Sequence, residues 1–251
     1  MTGLIIAAAQ SCSLAGQIDI NLGRHRRFML AAAEQQAQLL LFPELSLTGY
    51  EPALAAQLAQ SPDSLLLESL RSLARELRLT TVVGLPLRLA GSDAIYIAAW
   101  VLGADGSLVI YTKQHLHPGE HEVFTAGKGG MALNVQGCCV ALSVCADFSE
   151  PSHAATAATA GAQVYATSAL ISERGYVHDS QLLQGYAAKH SMAVLMANHG
   201  GPSGGWTCAG RSAFWAPGGG LVVAAQGAGD CLVVVRQSLG GWQGQVTDLS
   251  F

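Results

Sequence analysis

Short runs rich in Val, Ile, Leu and Ala recur along the chain, each cut off by polar residues, Gly or Pro: "LIIAAAQ", "LLLFP", "TTVVGLP", "IYIAAWVLG", "LVIYTK", "CCVALSVC", "QVYATSA", "MAVLMAN", "LVVAAQ" and "CLVVVR". Runs of this length and composition predict strands buried on at least one face, which then need other layers to cover them. Between them lie stretches with helical spacing. From Asp19 to Gln38, Leu22, Met29, Ala32 and Ala33 share one side and Arg24, Arg27, Glu34, Gln35 and Gln38 the other. Further helices are expected from Pro62 to Arg78, from Pro151 to Ala160 with proline in the first turn, and from Asp179 to His190. The centre, Thr80 to Val144, is mostly strand. Helix and strand alternating around a strand-rich middle predict packed sheets flanked by helices, an α/β layered fold.

Half of the 251 residues are hydrophobic, enough to bury a large core, and no linker or repeat divides them, so one domain over residues 1–251 is expected. Charged residues make up 12% and the net charge is -4, which leaves no basic face for phosphates or anionic lipid. Nucleic acid and membrane are therefore not expected as partners. The apolar start "LIIAAA" is too short to span a bilayer and has no basic flank, and a cytoplasmic protein is expected. The six cysteines, at 12, 138, 139, 145, 208 and 231, form no CxxC pair, so neither a zinc cage nor a disulfide framework is expected.

The segment "VALSVCADFSEP", Val140 to Pro151, runs from an apolar strand straight into a cysteine. Buried filler is the commonest fate of a cysteine. Two other polar residues, however, stand in the same kind of place: Glu44 after "LLLFP" and Lys113 after "LVIYT". Side chains at the carboxyl ends of strands project where loops converge over a sheet edge. A nucleophile, a base and a cation are the set that acyl transfer to cysteine requires. A free thiol titrates at about 8.5, so bringing it to about 6.5 takes roughly 2.7 kcal/mol in favour of the anion. Lys113 and the amino end of the helix near Pro151 are the expected sources of that stabilisation, with Glu44 as proton acceptor.

These segments resemble the nitrilase superfamily of carbon-nitrogen hydrolases over nearly the whole length. The family's opening strand ending in Ala-Gln is matched by "IIAAAQ", its Phe-Pro-Glu segment by "LFPELSLTGY", its lysine segment by "YTKQHLHPGEHEVFTAG" and its cysteine segment by "SVCADFSEP". The resemblance implies a four-layer α-β-β-α sandwich, no cofactor, and a small-molecule amide with water as substrates. It further implies Cys145 as nucleophile, Lys113 and the Ala146 N–H as oxyanion holders, Glu44 as general base and Glu120 as a second glutamate that orients Lys113 or shares the proton work. Glu122, only two residues before Phe124, fits that last place less well. Nitrilases of the family usually carry Trp-Glu after the cysteine; Ala146 and Asp147 stand here, which points to amides or N-carbamoyl compounds rather than nitriles. The chain lacks the long tail of spiral-forming members, and a homodimer is expected.

Rival assignments start from the same residues. His153, His178, His190 and His199 all follow Cys145 and offer a Cys-His pairing, though none lies in a signature that singles it out. His115, His117 and His121 are dense enough to suggest zinc but have no partner at a recognised spacing, and they are expected to line or support the loop near Lys113. Cys138 and Cys139 are expected in the core. Tyr50, Phe124, Trp206 and Trp215 are candidates for a pocket lining, and Arg174 and Arg211 for an anchor of an anionic substrate. A scaffold that has kept the framework without activity is the remaining alternative.

Overall fold

The computed structural model describes residues 3–250; the outermost residues of the expected domain, Met1, Thr2 and Phe251, lie outside the described residues. Two sheets are built from the apolar runs, and each has three parallel strands at its centre. In the first, β1 (Ile5–Gln10) is followed by helix α1 (Ile18–Glu34), β2 (Leu39–Leu41), helices α2 (Ala55–Leu58) and α3 (Glu68–Leu77), and β3 (Thr80–Arg88). Antiparallel β4 (Ile95–Leu102) and β5 (Leu108–Thr112) extend this sheet on one side. The second sheet takes β6 (Leu133–Val135), β7 (Cys138–Val144), helix α4 (Pro151–Thr159), β8 (Val164–Ala169), helix α5 (Tyr176–His190), β9 (Ala193–Asn198), β10 (Ala213–Trp215) and β11 (Leu221–Ala224). The chain then returns to pair β12 (Cys231–Ser238) against β1, and β13 (Gly241–Asp248) closes that edge.

Side-chain alternation along each strand assigns the layers. In β1, Ile6 and Ala8 face the seam between the sheets, where they meet Val140, Leu142, Val164, Ala166, Leu195 and Phe214 of the second sheet. Ile5, Ala7 and Ala9 face outward onto Phe28, Met29 and Ala32 of α1 and Leu70 and Leu73 of α3. On the far side, Tyr165, Val194 and Met196 pack under Ala154 of α4 and Leu183, Tyr186 and Ala187 of α5. The result is the expected α-β-β-α sandwich, with strands such as β1 buried on both faces and hence apolar at every position but the last, the buried Gln10.

Several boundaries differ from the sequence expectation. The helix expected from Pro62 starts later: Ser64 accepts a hydrogen bond from the Leu66 N–H and caps a 3-10 turn over Leu65–Leu67, and the α-helix runs from Glu68 to Leu77. The helix expected from Asp179 begins three residues earlier, at Tyr176. The buried face of α1 is Asn21, His25, Phe28, Met29 and Ala32, with Leu22 and Ala33 at its margin, because Asn21 and His25 find hydrogen-bond partners in Leu14, Leu47 and Ser46. Strand β13 carries too many polar residues to show an apolar run, which suits an exposed edge. Among the described residues, no helix is long and apolar enough to cross a membrane.

Candidate active site

All three sequence-selected residues lie at strand carboxyl ends, but not on one sheet. Glu44 stands three residues past β2 and Lys113 immediately past β5, both on the first sheet; Cys145 immediately follows β7 on the second. Packing the sheets face to face brings them together. Lys113 Nζ donates hydrogen bonds to Glu44 Oε1 and to Glu120 Oε1, each at 2.8 Å, with all three side chains at most 2% exposed. Glu120 is held in turn by the Tyr50 hydroxyl at 2.8 Å and by the backbone N–H of His117 at 2.8 Å. Glu44, Tyr50, Glu120, Cys145, Ala146 and Trp206 line one cleft of about 270 Å³, together with His117, Phe148, Leu170 and Asp179.

Backbone geometry aims the Cys145 and Glu44 side chains. Cys145 adopts φ 45° and Leu45, next to Glu44, φ 50°, both in the left-handed region that costs a non-glycine residue about 1–3 kcal/mol. The turn at Cys145 is the start of a 3-10 segment, Cys145–Ser149, that lifts the thiol off the strand end. Gly84 of β3 lies directly beneath the Glu44 loop: a Cβ there would come within 2.2 Å of the Leu45 nitrogen and 2.6 Å of the Pro43 oxygen. The loop is also held from the other sheet. His199, fully buried, donates from Nε2 to the Glu44 carbonyl oxygen at 2.7 Å, and burial lowers its pKa to about 4, so the ring is neutral.

Asp147, which the sequence marks only as a departure, is a buried tie between the two loops. Its Oδ1 accepts from the backbone N–H groups of Gln114 at 2.9 Å and His115 at 2.8 Å; its Oδ2 accepts from the Val144 N–H at 3.0 Å and the Tyr111 hydroxyl at 2.7 Å. A carboxylate two residues after the cysteine thereby fixes the segment that follows Lys113. An acidic residue so close to a strand end and a cysteine was the one available signal for this role.

The electrostatics alter one expectation. Burial pushes the Cys145 thiol pKa up, the Glu44 carboxylate pushes it further, and Lys113 only partly offsets this. The thiolate favoured by Lys113 is therefore not the resting form: that ammonium is already committed to two carboxylates, and α4 begins six residues downstream of the thiol. For Glu44, burial raises the pKa to about 7, with Lys113 lowering it and Glu120 raising it. For Lys113, burial alone would lower the pKa, but Glu44, Cys145 and Glu120 carry it well above the ordinary value and keep the ammonium charged. Glu44 Oε2 has no hydrogen-bond partner among the described residues, and the Cys145 thiol is the neighbouring donor that biases its ionisation. A neutral thiol beside a carboxylate that titrates near neutrality suits proton transfer during attack.

The remaining candidates sort by position. Phe124 is buried in the core between the sheets and Trp215 beneath the outer helices, so neither lines the cleft; Tyr50 and Trp206 do. His153 bonds to Tyr111 and Tyr165 and His115 to Asp147, while Cys145 donates to the Leu170 carbonyl at 3.7 Å. Glu122 is not among the cleft residues. Cys138 and Cys139 are half-buried, at the edges of two packing clusters, and all six cysteines are free. No group of three or more His, Cys, Asp or Glu among the described residues is arranged to hold a metal ion.

Residues 5–243 match the family model for carbon-nitrogen hydrolases. The amidase from Nesterenkonia sp. AN1, in a variant with the acetamide moiety of fluoroacetamide covalently added at its active-site cysteine, superimposes with a TM-score of 0.83 at 28% identity, covering 94% of this chain and 90% of that one. Another variant of that amidase, in complex with butyramide, gives 0.84 at 28% identity over 94% and 91%. An (R)-stereoselective amidase from Pseudomonas sp. is 28% identical over 199 residues, 78% of this chain and 72% of its own length. The chain belongs to the carbon-nitrogen hydrolase family of the nitrilase superfamily, as an amidase-type member.

Proposed function

We propose that the protein hydrolyses a small amide, or an N-carbamoyl compound, through a thioester on Cys145. The observation that carries this is the Lys113 ammonium held between Glu44 and Glu120 beside the cysteine cleft. The thiol sulfur attacks the carbonyl carbon while Glu44 takes its proton. The tetrahedral oxyanion is met by Lys113, whose ammonium has three donors with two used by the glutamates, and by the N–H of Ala146. Glu44 passes the proton to the departing nitrogen, the C–N bond breaks and ammonia leaves. Glu44 then removes a proton from water, whose oxygen attacks the thioester; the acid departs and the thiol is restored. Glu120 keeps Lys113 in place.

The amide preference over nitriles rests on Ala146 and Asp147 standing where nitrilases of the family usually carry Trp-Glu, and Asp147 is fully committed to backbone and tyrosine donors. Ammonia release by purified protein from a panel of amides, carbamoyl amino acids and nitriles tests this. The expected outcome is turnover of small amides such as butyramide, with nitriles inert, and loss of at least about 10³-fold in Cys145→Ala, a nucleophile being indispensable to the covalent path. Wild-type rates in Cys145→Ala, or an acyl adduct on Cys208 in place of Cys145, overturn the assignment.

A further inference from the structure

The cleft that holds Cys145 carries more negative charge than the proposed chemistry uses. Glu44, Glu120 and Asp179 line it, and no arginine or lysine stands beside them in that lining. Lys113 below is shared between the two glutamates, so it does not balance Asp179. Asp179 occupies the first turn of α5, half-buried, with its Oδ2 turned toward Gly175: a Cβ at that glycine would lie 3.3 Å away. The titratable groups facing it are His178 on its own helix and His117 from the loop after Lys113. Burial raises its pKa, with both imidazoles opposing, the signature of a carboxylate that has lost water without gaining a full countercharge.

The surroundings favour a cation as the missing partner. Tyr50 and Trp206 border the same space, Trp206 being 44% exposed with the His117 ring edge-on at 6.3 Å, and aromatic faces attract ammonium groups. The two arginines that the sequence offered for an anionic substrate are not among the residues lining the cleft. Arg174 lines an adjoining depression with Glu173 and Thr207, on the other side of Ser172 and Trp206, which border both spaces, and Arg211 pairs with Glu173 at 3.6 Å and lies over the Tyr176 ring at 5.2 Å. Among the described residues lining the cleft, an anionic acyl chain meets three carboxylates and no arginine or lysine.

We propose that Asp179 is a specificity-determining residue that receives the ammonium group of a cationic amide, an aliphatic amide whose acyl chain carries an amine, with Trp206 and Tyr50 flanking it. This rests on Cys145 being the nucleophile of amide hydrolysis. The test compares kcat/KM for butyramide, 4-aminobutyramide and succinamate, matched in size and differing in charge. Wild type is expected to favour 4-aminobutyramide over butyramide by about tenfold or more, an ion pair's worth of about 1.4 kcal/mol, with succinamate poorest. Asp179→Asn is expected to collapse the ratio chiefly through KM, and Asp179→Lys to move the preference toward succinamate. Equal or reversed preference in wild type, or an Asn variant that keeps the wild-type ratio, overturns the proposal. Should both variants fail to fold, the wild-type ratio decides. Calorimetry of the three amides with Cys145→Ala protein separates the two ideas: tighter binding of 4-aminobutyramide without turnover by wild type sinks the hydrolysis and keeps Asp179, whereas turnover without charge preference does the reverse.

Discussion

Glu44 is a carboxylate whose surroundings bring its titration near neutrality. Burial and the Glu120 charge raise its pKa to about 7 even though Lys113 touches it. The sign follows from that direction: as pH falls through about 7 the folded protein takes up a proton at Glu44 and, on the proposed mechanism, loses its base. The rate profile of kcat/KM for butyramide is therefore expected to fall on the acid side with an apparent pKa near 7. An acid limb at the ordinary carboxylate value of about 4.3 argues against Glu44 as the titrating base. Which residues to watch was legible in the sequence, because Glu44, Lys113 and Cys145 each end an apolar run. Their ionisation was not, since it depends on burial and on Glu120 reaching the same ammonium from across a loop. The roles of His199 and Asp147 were hidden for a similar reason: each acts on backbone atoms of a residue distant in sequence, and no local pattern records that.

At the scale of elements, each sheet has a parallel triplet, β1–β2–β3 and β7–β8–β9, with antiparallel strands at its margins. Loops at the carboxyl ends of the parallel strands supply Glu44, Cys145, Leu170 and His199, the arrangement that the apolar runs implied. Helix starts were less legible, because Ser64 and Gly175 set the first turns of α3's 3-10 lead-in and of α5 rather than Pro62 and Asp179. The glycine within "TTVVGLP" is the clearest case of one element shaping another. Gly84 leaves room for the Pro43–Leu45 backbone to cross β3, and its N–H donates to Ser46 Oγ at 3.1 Å. Gly84→Ala must push that loop outward, carrying Glu44 away from Lys113. Its kcat is expected to fall by about 10²-fold or more, the scale of a 1 Å misplacement, while far-UV circular dichroism stays near wild type. Unchanged kcat in the alanine variant would show that the loop tolerates the displacement.

The molecule as a whole is organised around the seam between its sheets. Leu195 of β9 is fully buried there, among Ile6, Val82, Val140 and Phe214, and it does not line the cleft. Leu195→Ala is expected to cost about 2–5 kcal/mol by opening a cavity, read as a lower denaturant midpoint at unchanged slope. A loss below about 1 kcal/mol would mean that the seam closes over the gap. On the proposed mechanism the same seam has a catalytic consequence, for Cys145 hangs from one sheet while Glu44 and Lys113 hang from the other. Turnover is thus a gauge of how the two slabs sit against each other. A loosened state that keeps every strand paired but lets the slabs drift by an ångström retains its spectroscopic strand content and goes catalytically silent, so activity should vanish ahead of secondary structure as denaturant is added.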